Sequence, residues 1–222
     1  LVKIKLFKGA IKMKKLDYKK EYRDLYLPKR KPMLIDVPKI SYVTVDGKGN
    51  PNNSVEYQEA LELLYGISFT IKMSKMTEDK IPGYFEYVVP PLEGLWWCED
   101  GTINMQNIDK DQFCWKSMIR LPEFVDEKVF NHAKKLLKNK KPAINIDKVK
   151  YEVIKEGKCV QIMHIGSYDE EQVSIDKIDA FLKANNLKVD FNEQRKHHEI
   201  YLSDPRRCKK ENLKTVIRIP VK

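Results

Sequence analysis

The sequence predicts an α+β fold: two tandem strand–helix–strand–strand modules forming mostly antiparallel sheet, with helices on one side and a ligand cleft between the modules. Three observations predict it. Alternating β-branched and aromatic segments end in Gly/Asn/Pro turns, apolar stripes at helical spacing follow capping signals, and this order occurs twice. A chain of 222 residues with 42% hydrophobic content can bury a large core.

The chain opens on a basic extension, residues 1–32, of which residues 1–12 read as leader or added sequence ahead of a natural start at Met13. This extension carries twelve Lys or Arg against three Asp or Glu, whereas the remaining 190 residues carry thirty against twenty-nine. The formal charge of +10 therefore sits at one end. A nearly neutral body argues against a nucleic-acid groove in it. No apolar run reaches the length of a secretory signal or a membrane span, so a cytoplasmic protein with no membrane partner is expected.

Residues 33–222 read as one domain of two modules. In the first, "KISYVTVDGKGNPN" is a strand closing in a turn, and Asn53 with Glu56 resembles a capping box. Tyr57, Ala60, Leu61, Leu64 and Tyr65 then recur as a helix stripe, and "GYFEYVVPPLEGLWW" returns to strand character. "DQFCWKSMIRLPEFV" is a further strand, followed by a helix over "DEKVFNHAKKLLKN" that stops at Pro142. "KVKYEVIKEGKCVQIMHIG" reads as a hairpin leading into the second module. There Ser167 and Glu170 offer a second capping box, Ile175, Ile178, Phe181 and Leu182 a second stripe, and "KHHEIYLSDP" the returning strand. Laying the two returning strands over each other sets Glu86 opposite Glu199.

The returning strand of the second module carries the candidate chemistry. Strand side chains alternate, so His198 and Ile200 face one way while His197, Glu199 and Tyr201 face the other. A lone strand Glu is most often solvated. With aromatic walls nearby, Glu199 becomes a counter-ion for a cationic ligand or a general base, and Tyr201 is its local hydrogen-bond donor. Glu86 is the counter-candidate acid, with a surface hydrogen bond as its plainer role. All three tryptophans, Trp96, Trp97 and Trp115, fall within twenty residues. If "LWW" pairs with "FCWKSMIR", a Trp of the pair joins Phe113 or Trp115 on one wall, as core or as a ligand cage.

Other chemistries find no support in the spacing. Cys98, Cys114, Cys159 and Cys208 form no C-x-x-C pair and read as reduced thiols. His197 and His198 beside Glu199 suggest a metal, but adjacent strand residues face opposite ways and there is no H-E-x-x-H, so no metal site is expected. "GKGNPN" lacks both phosphate-loop patterns, and no Ser-His-Asp or Cys-His set can be assembled from spacing. No cofactor is called for.

The tandem modules together with "VDGKGNPN", "PPLEGLWW", "WKSMIRLPEFV" and above all "HEIYLSDPRR…LKTVIR" resemble the GyrI-like small-molecule-binding family, from about Asp17 to Lys222. The resemblance is to its long-form, stand-alone branch, similar to cyclopropanoid cyclopropyl hydrolases. It implies a cleft with aromatic walls and an acidic floor, suited to flat hydrophobic or cationic xenobiotics. By that resemblance Glu199 matches the pocket acid, and Trp96 or Trp97 with Trp115 match the aromatic segments. Three functions stay open: hydrolysis of cyclopropane-bearing DNA-alkylating compounds by water addition, sequestration of a ligand without turnover, and gyrase inhibition, which rests on the family name alone. The expected partner is a small molecule; the sequence encodes no readable oligomeric state.

Overall fold

The computed structural model describes residues 15–77, 81–99 and 110–222; the leader expected over residues 1–12 lies outside them. Six antiparallel strands close into a barrel in the order β1 (Met33–Lys48), β3 (Phe113–Arg120), β2 (Leu92–Cys98), β5 (His197–Tyr201), β6 (Lys214–Pro220) and β4 (Lys150–Ile165). The duplication is visible in the chain order. The first module runs β1, α3 (Val55–Met73), β2, β3, and the second β4, α5 (Gln172–Ala184), β5, β6. Helix α4 (Glu127–Lys140) links them, and two short helices, α1 (Tyr18–Glu21) and α2 (Arg23–Tyr26), precede β1. Among the described residues no helix is long and apolar enough to cross a membrane.

Three local expectations are corrected. The segment read as a hairpin is one strand, β4, because β1 supplies a partner along nearly all of it, from Met33 opposite Gln161 to Thr44 opposite Lys150. Gly157 sits within β4 at φ +65°, a conformation costly for other residues, and opposes Val37 where Pro38 interrupts the ladder. The stretch before "LEGLWW" is not a strand: it makes a single bridge, Tyr87 to Leu16, since Pro90 and Pro91 cannot donate to a ladder. That places Glu86 outside the barrel, in a part-exposed ion pair with Lys75 at 2.6 Å, and β5 pairs instead with β2, where Gly94 opposes Glu199. Finally, α3 is capped by Ser54, one residue later than read, its side chain accepting from the Tyr57 N–H at 3.2 Å.

The barrel interior is sealed by the N-terminal segment. Tyr18, Leu25 and Tyr26 are buried against Val37, Tyr42, Leu95, Met118 and Ile200, and the Arg120 guanidinium lies over the Tyr18 and Tyr22 rings at 4.5 and 4.3 Å. Much of the basic extension is thus built into the fold. Inside lies a buried ionic cluster. Arg218 donates to Glu156 at 2.7 Å, to Gln161 at 3.1 Å and to the Leu25 carbonyl at 3.0 Å. His198 meets Glu156 through Nδ1 at 2.9 Å, while its Nε2 faces Glu93 at 3.0 Å. Tyr26 and Tyr42 donate to the two oxygens of Glu93 at 3.2 and 3.3 Å. The cluster matches two basic groups with two carboxylates, the condition under which buried charge is tolerated.

The outer face is covered by the long helices. Ala60, Leu64, Ile67 and Ile71 of α3 pack with Phe130 and Leu137 of α4 over Val43, Val45, Trp115 and Ile119. Ile178 and Leu182 of α5 cover Val160, Ile162, Ile217 and Ile219. Between these two packed blocks, β2 and β5 meet edge to edge, and their outer face opens into a groove.

Candidate functional site

The groove has a volume of about 1940 Å³ and runs between α3, the Val88–Leu92 segment, the turn after β4, and β5 with the loop that follows it. Its floor is set by strand alternation. With His198 and Ile200 turned into the barrel, His197, Glu199 and Tyr201 necessarily project outward, beside Trp96 of β2.

These side chains form a directed chain of hydrogen bonds. The Trp96 indole donates to the Tyr201 oxygen at 2.9 Å, Tyr201 donates to Glu199 Oε2 at 2.8 Å, and His197 Nε2 lies 3.1 Å from Glu199 Oε1. Burial, then the charge of Glu199 and the hydrogen bond to it, raise the Tyr201 phenol well above its ordinary range, so it remains a donor. Glu171, from the turn that opens α5, completes the group. Burial, then the negative charge of Glu199 and the hydrogen bond between the two carboxyls, hold its pKa well above the ordinary carboxylate range. Two carboxyls sharing one site resist ionising together, and the raised pKa of Glu171 favours the proton there. The result is an acid beside a hydrogen-bonded carboxylate in a largely apolar groove.

Of the residues expected from the sequence, the groove brings together Glu199, Tyr201, Trp96 and Phe113, with Phe113 edge-on to Trp96 at 5.8 Å. Trp115 and Trp97 do not line it, and both are corrections. Trp115 pairs directly with Trp96 across β2 and β3 but is wholly buried, edge-on to Tyr57 at 4.9 Å beneath α3. Trp97, one residue from Trp96, faces the other way, packs with the interior cluster and carries Lys196 over its ring at 5.2 Å. Tyr168 and Glu171 escaped the reading, while Tyr57 was read only as part of the helix stripe and His197 only as a neighbour on the face of Glu199. Tyr168 stands edge-on to Tyr201 at 5.8 Å, with burial and its acidic neighbours Glu171 and Glu199 pushing its pKa up to about 12.

Gly94 explains how Trp96 reaches Tyr201. A Cβ here would lie 2.8 Å from the indole nitrogen and 3.3 Å from the Tyr201 oxygen, so only glycine lets the ring fold back along its own strand. Gly94→Ala is therefore expected to push Trp96 off Tyr201, shift the tryptophan emission maximum and weaken ligand binding by about tenfold, within the 1–3 kcal/mol range of overpacking. An unchanged spectrum and unchanged affinity would refute this role.

Glu171, His197 and Glu199 each offer a ligand atom, all within 4.8 Å of one another, a donor set that could hold a divalent cation. The sequence reading, which weighed only strand neighbours, missed it because Glu171 arrives from another element.

With this geometry in view, comparisons decide the family. The model of the GyrI-like small molecule binding domain matches residues 30–222. The chain belongs to this family. Among solved structures, an uncharacterized conserved protein from Listeria innocua shares 46% identity with a TM-score of 0.88, covering 94% of this chain and all of its own. Two structures of hydrolases from the same organism share 44% and 45% identity with TM-scores of 0.85 and 0.86, at the same coverage. A search of curated proteins gives no match. The GyrI-like domain model begins at residue 30, so Tyr18, Leu25 and Tyr26, which seal the barrel, lie ahead of it.

Proposed function

We propose that this GyrI-like groove binds flat, hydrophobic or cationic xenobiotics and that its acid end hydrolyses cyclopropane-bearing, DNA-alkylating compounds by adding water. The observation that carries the reading is the Glu171–Glu199 pair beside Trp96 and Tyr201. Aromatic walls alone serve a sequestering protein equally well. An acid next to a base is what water addition needs, and the similarity to two Listeria innocua hydrolases favours turnover.

The chemistry follows from the residues. A carbonyl-conjugated cyclopropane stacks against Trp96 and Tyr168, and a water held by Glu199 faces the exposed ring carbon. As the water oxygen bonds to that carbon, its proton passes to Glu199 and the ring C–C bond breaks. The released electron pair moves into the conjugated carbonyl, whose oxygen takes the proton from Glu171. Passage of a proton from Glu199 to the adjacent Glu171 resets the pair. Tyr201 is assigned a positioning role, because its O–H is directed at Glu199. His197 steadies the other oxygen of Glu199.

Incubating the wild-type protein with a large excess of a cyclopropane-bearing alkylating compound tests this reading. The expected result, by mass spectrometry, is many equivalents of a product heavier by one water. Depletion of one equivalent per protein, released intact on denaturation, would instead mean sequestration.

A further inference from the structure

Among the described residues the buried carboxylates form two pairs, and only one pair is matched by positive charge. Inside the barrel, Glu93 and Glu156 face His198 and Arg218. At the groove, Glu171 and Glu199 are 8% and 6% exposed, and among the described residues neither pairs with a Lys or Arg. The His197 imidazole is the basic group beside them. One oxygen of the first, Glu171 Oε1, is buried with no hydrogen-bond partner among the described residues. A carboxyl oxygen in that position gains strongly from a small electrophile. A proton is one such electrophile, and a metal ion is another.

The geometry suits the ion. One ligand atom from each of Glu171, His197 and Glu199 lies within 4.8 Å of the other two. His197 Nε2 and Glu199 Oε1 are 3.1 Å apart, close to the roughly 3.3 Å between two ligand atoms on one tetrahedral zinc bound at about 2.0–2.2 Å. The second oxygen, Glu199 Oε2, accepts from Tyr201 at 2.8 Å, and the Tyr201 oxygen accepts from Trp96 at 2.9 Å. An outer layer of bonds therefore already fixes how the carboxylate presents Oε1.

We infer that Glu171, His197 and Glu199 bind a first-row divalent cation of the Zn²⁺ type through one imidazole nitrogen and two carboxylate oxygens, with a coordination position open to the groove. Imidazole favours Zn²⁺ over Mg²⁺, which prefers oxygen ligands and keeps its waters. The two carboxylates balance the charge of the ion. The ion takes Glu171 as a carboxylate, so a proton held there leaves to solvent. One consequence rests on the proposed hydrolysis: the metal-bound protein is inactive, because Glu199 has given up the lone pair that accepts the water proton and Glu171 has none to supply.

Calorimetric titration of Zn²⁺ and of Mg²⁺ into the chelator-treated wild-type chain, Glu171→Gln and His197→Gln tests the site. One equivalent of Zn²⁺ is expected to bind the wild type, with affinity lower by about tenfold or more in each variant, and Mg²⁺ should bind the wild type at least about tenfold more weakly. Co²⁺ added to the wild type gives a readout that needs no variant: visible bands without the thiolate-to-metal charge-transfer absorption that cysteine ligation would add. No Zn²⁺ binding, binding unaltered in both variants, or thiolate absorption would overturn the inference. Product formation from a cyclopropane-bearing compound should then fall about tenfold with Zn²⁺ at ten times its dissociation constant and recover with chelator. Undiminished or faster turnover with Zn²⁺ bound would overturn the inactive metal-bound state. Absent turnover in the metal-free wild type, with the titrations as expected, would count against the hydrolytic reading and support the metal site by itself.

Discussion

Replacing Glu156 by Gln is expected to cost about 3–5 kcal/mol of stability, the range for removing one partner of a buried ion pair. For a domain of this size that lowers the melting temperature by roughly 10 °C. The variant keeps the volume and an acceptor, but leaves the Arg218 and His198 charges without the carboxylate they share. The same cluster sets a pH dependence. Burial would lower the His198 pKa, yet the charge of Glu156 and hydrogen bonds to Glu156 and Glu93 outweigh it and raise it from 6.5 to about 9. Burial would raise the Glu156 pKa, yet His198 and Arg218 bring it down from 4.5 to about 2. The His198 contribution is therefore complete below pH 6.5 and lost as pH rises through 9, and the Glu156 contribution is complete above pH 4.5 and lost as pH falls through 2. Denaturant unfolding at pH 6 and pH 10 should differ by about 3 kcal/mol in the wild type. Most of that difference should disappear in Glu156→Gln; a variant as stable as wild type with the same pH profile would contradict this account.

How far the sequence could be read follows from the range of each signal. Two modules, an antiparallel sheet and the face alternation of His197–Tyr201 are local periodicities, and they were legible. Barrel closure was not, because it depends on β1 and β4 pairing across more than a hundred residues. Repeat logic also misled at Glu86. Proline removes that stretch from the ladder, and the residue facing Glu199 is Gly94, whose lack of a side chain was the real signal. The basic extension reads as separate from the domain by its charge, yet its tyrosines Tyr18 and Tyr26 seal the barrel through contacts with residues far along the chain. Within the site, Glu199 and Tyr201 shared a strand face and could be paired on paper. Glu171 could not, because its partner belongs to another element and only tertiary packing makes it an acid. Of the three tryptophans, strand parity separates Trp96 from Trp97, but burial beneath α3 decides Trp115.

The second large effect falls on Glu199. Glutamine preserves its shape and can still accept from Tyr201, but it cannot take a proton from water. The loss of acid–base help should reduce turnover by about 10²–10⁴-fold while affinity changes only a few-fold. Glu171→Gln should show the same pattern, since an amide cannot supply the proton to the opening ring. A shared defect in both variants would indicate one acid–base pair, whereas a loss of affinity in step with rate would indicate a merely structural role.

The most direct measurement is the rate of ring-opened product formation by Glu199→Gln beside wild type, under excess cyclopropane-bearing compound, with binding followed in parallel by tryptophan quenching. The account predicts a bound but nearly unreacted compound in the variant and many turnovers in the wild type. Full activity in Glu199→Gln, or only intact compound recovered from the wild type, would contradict it.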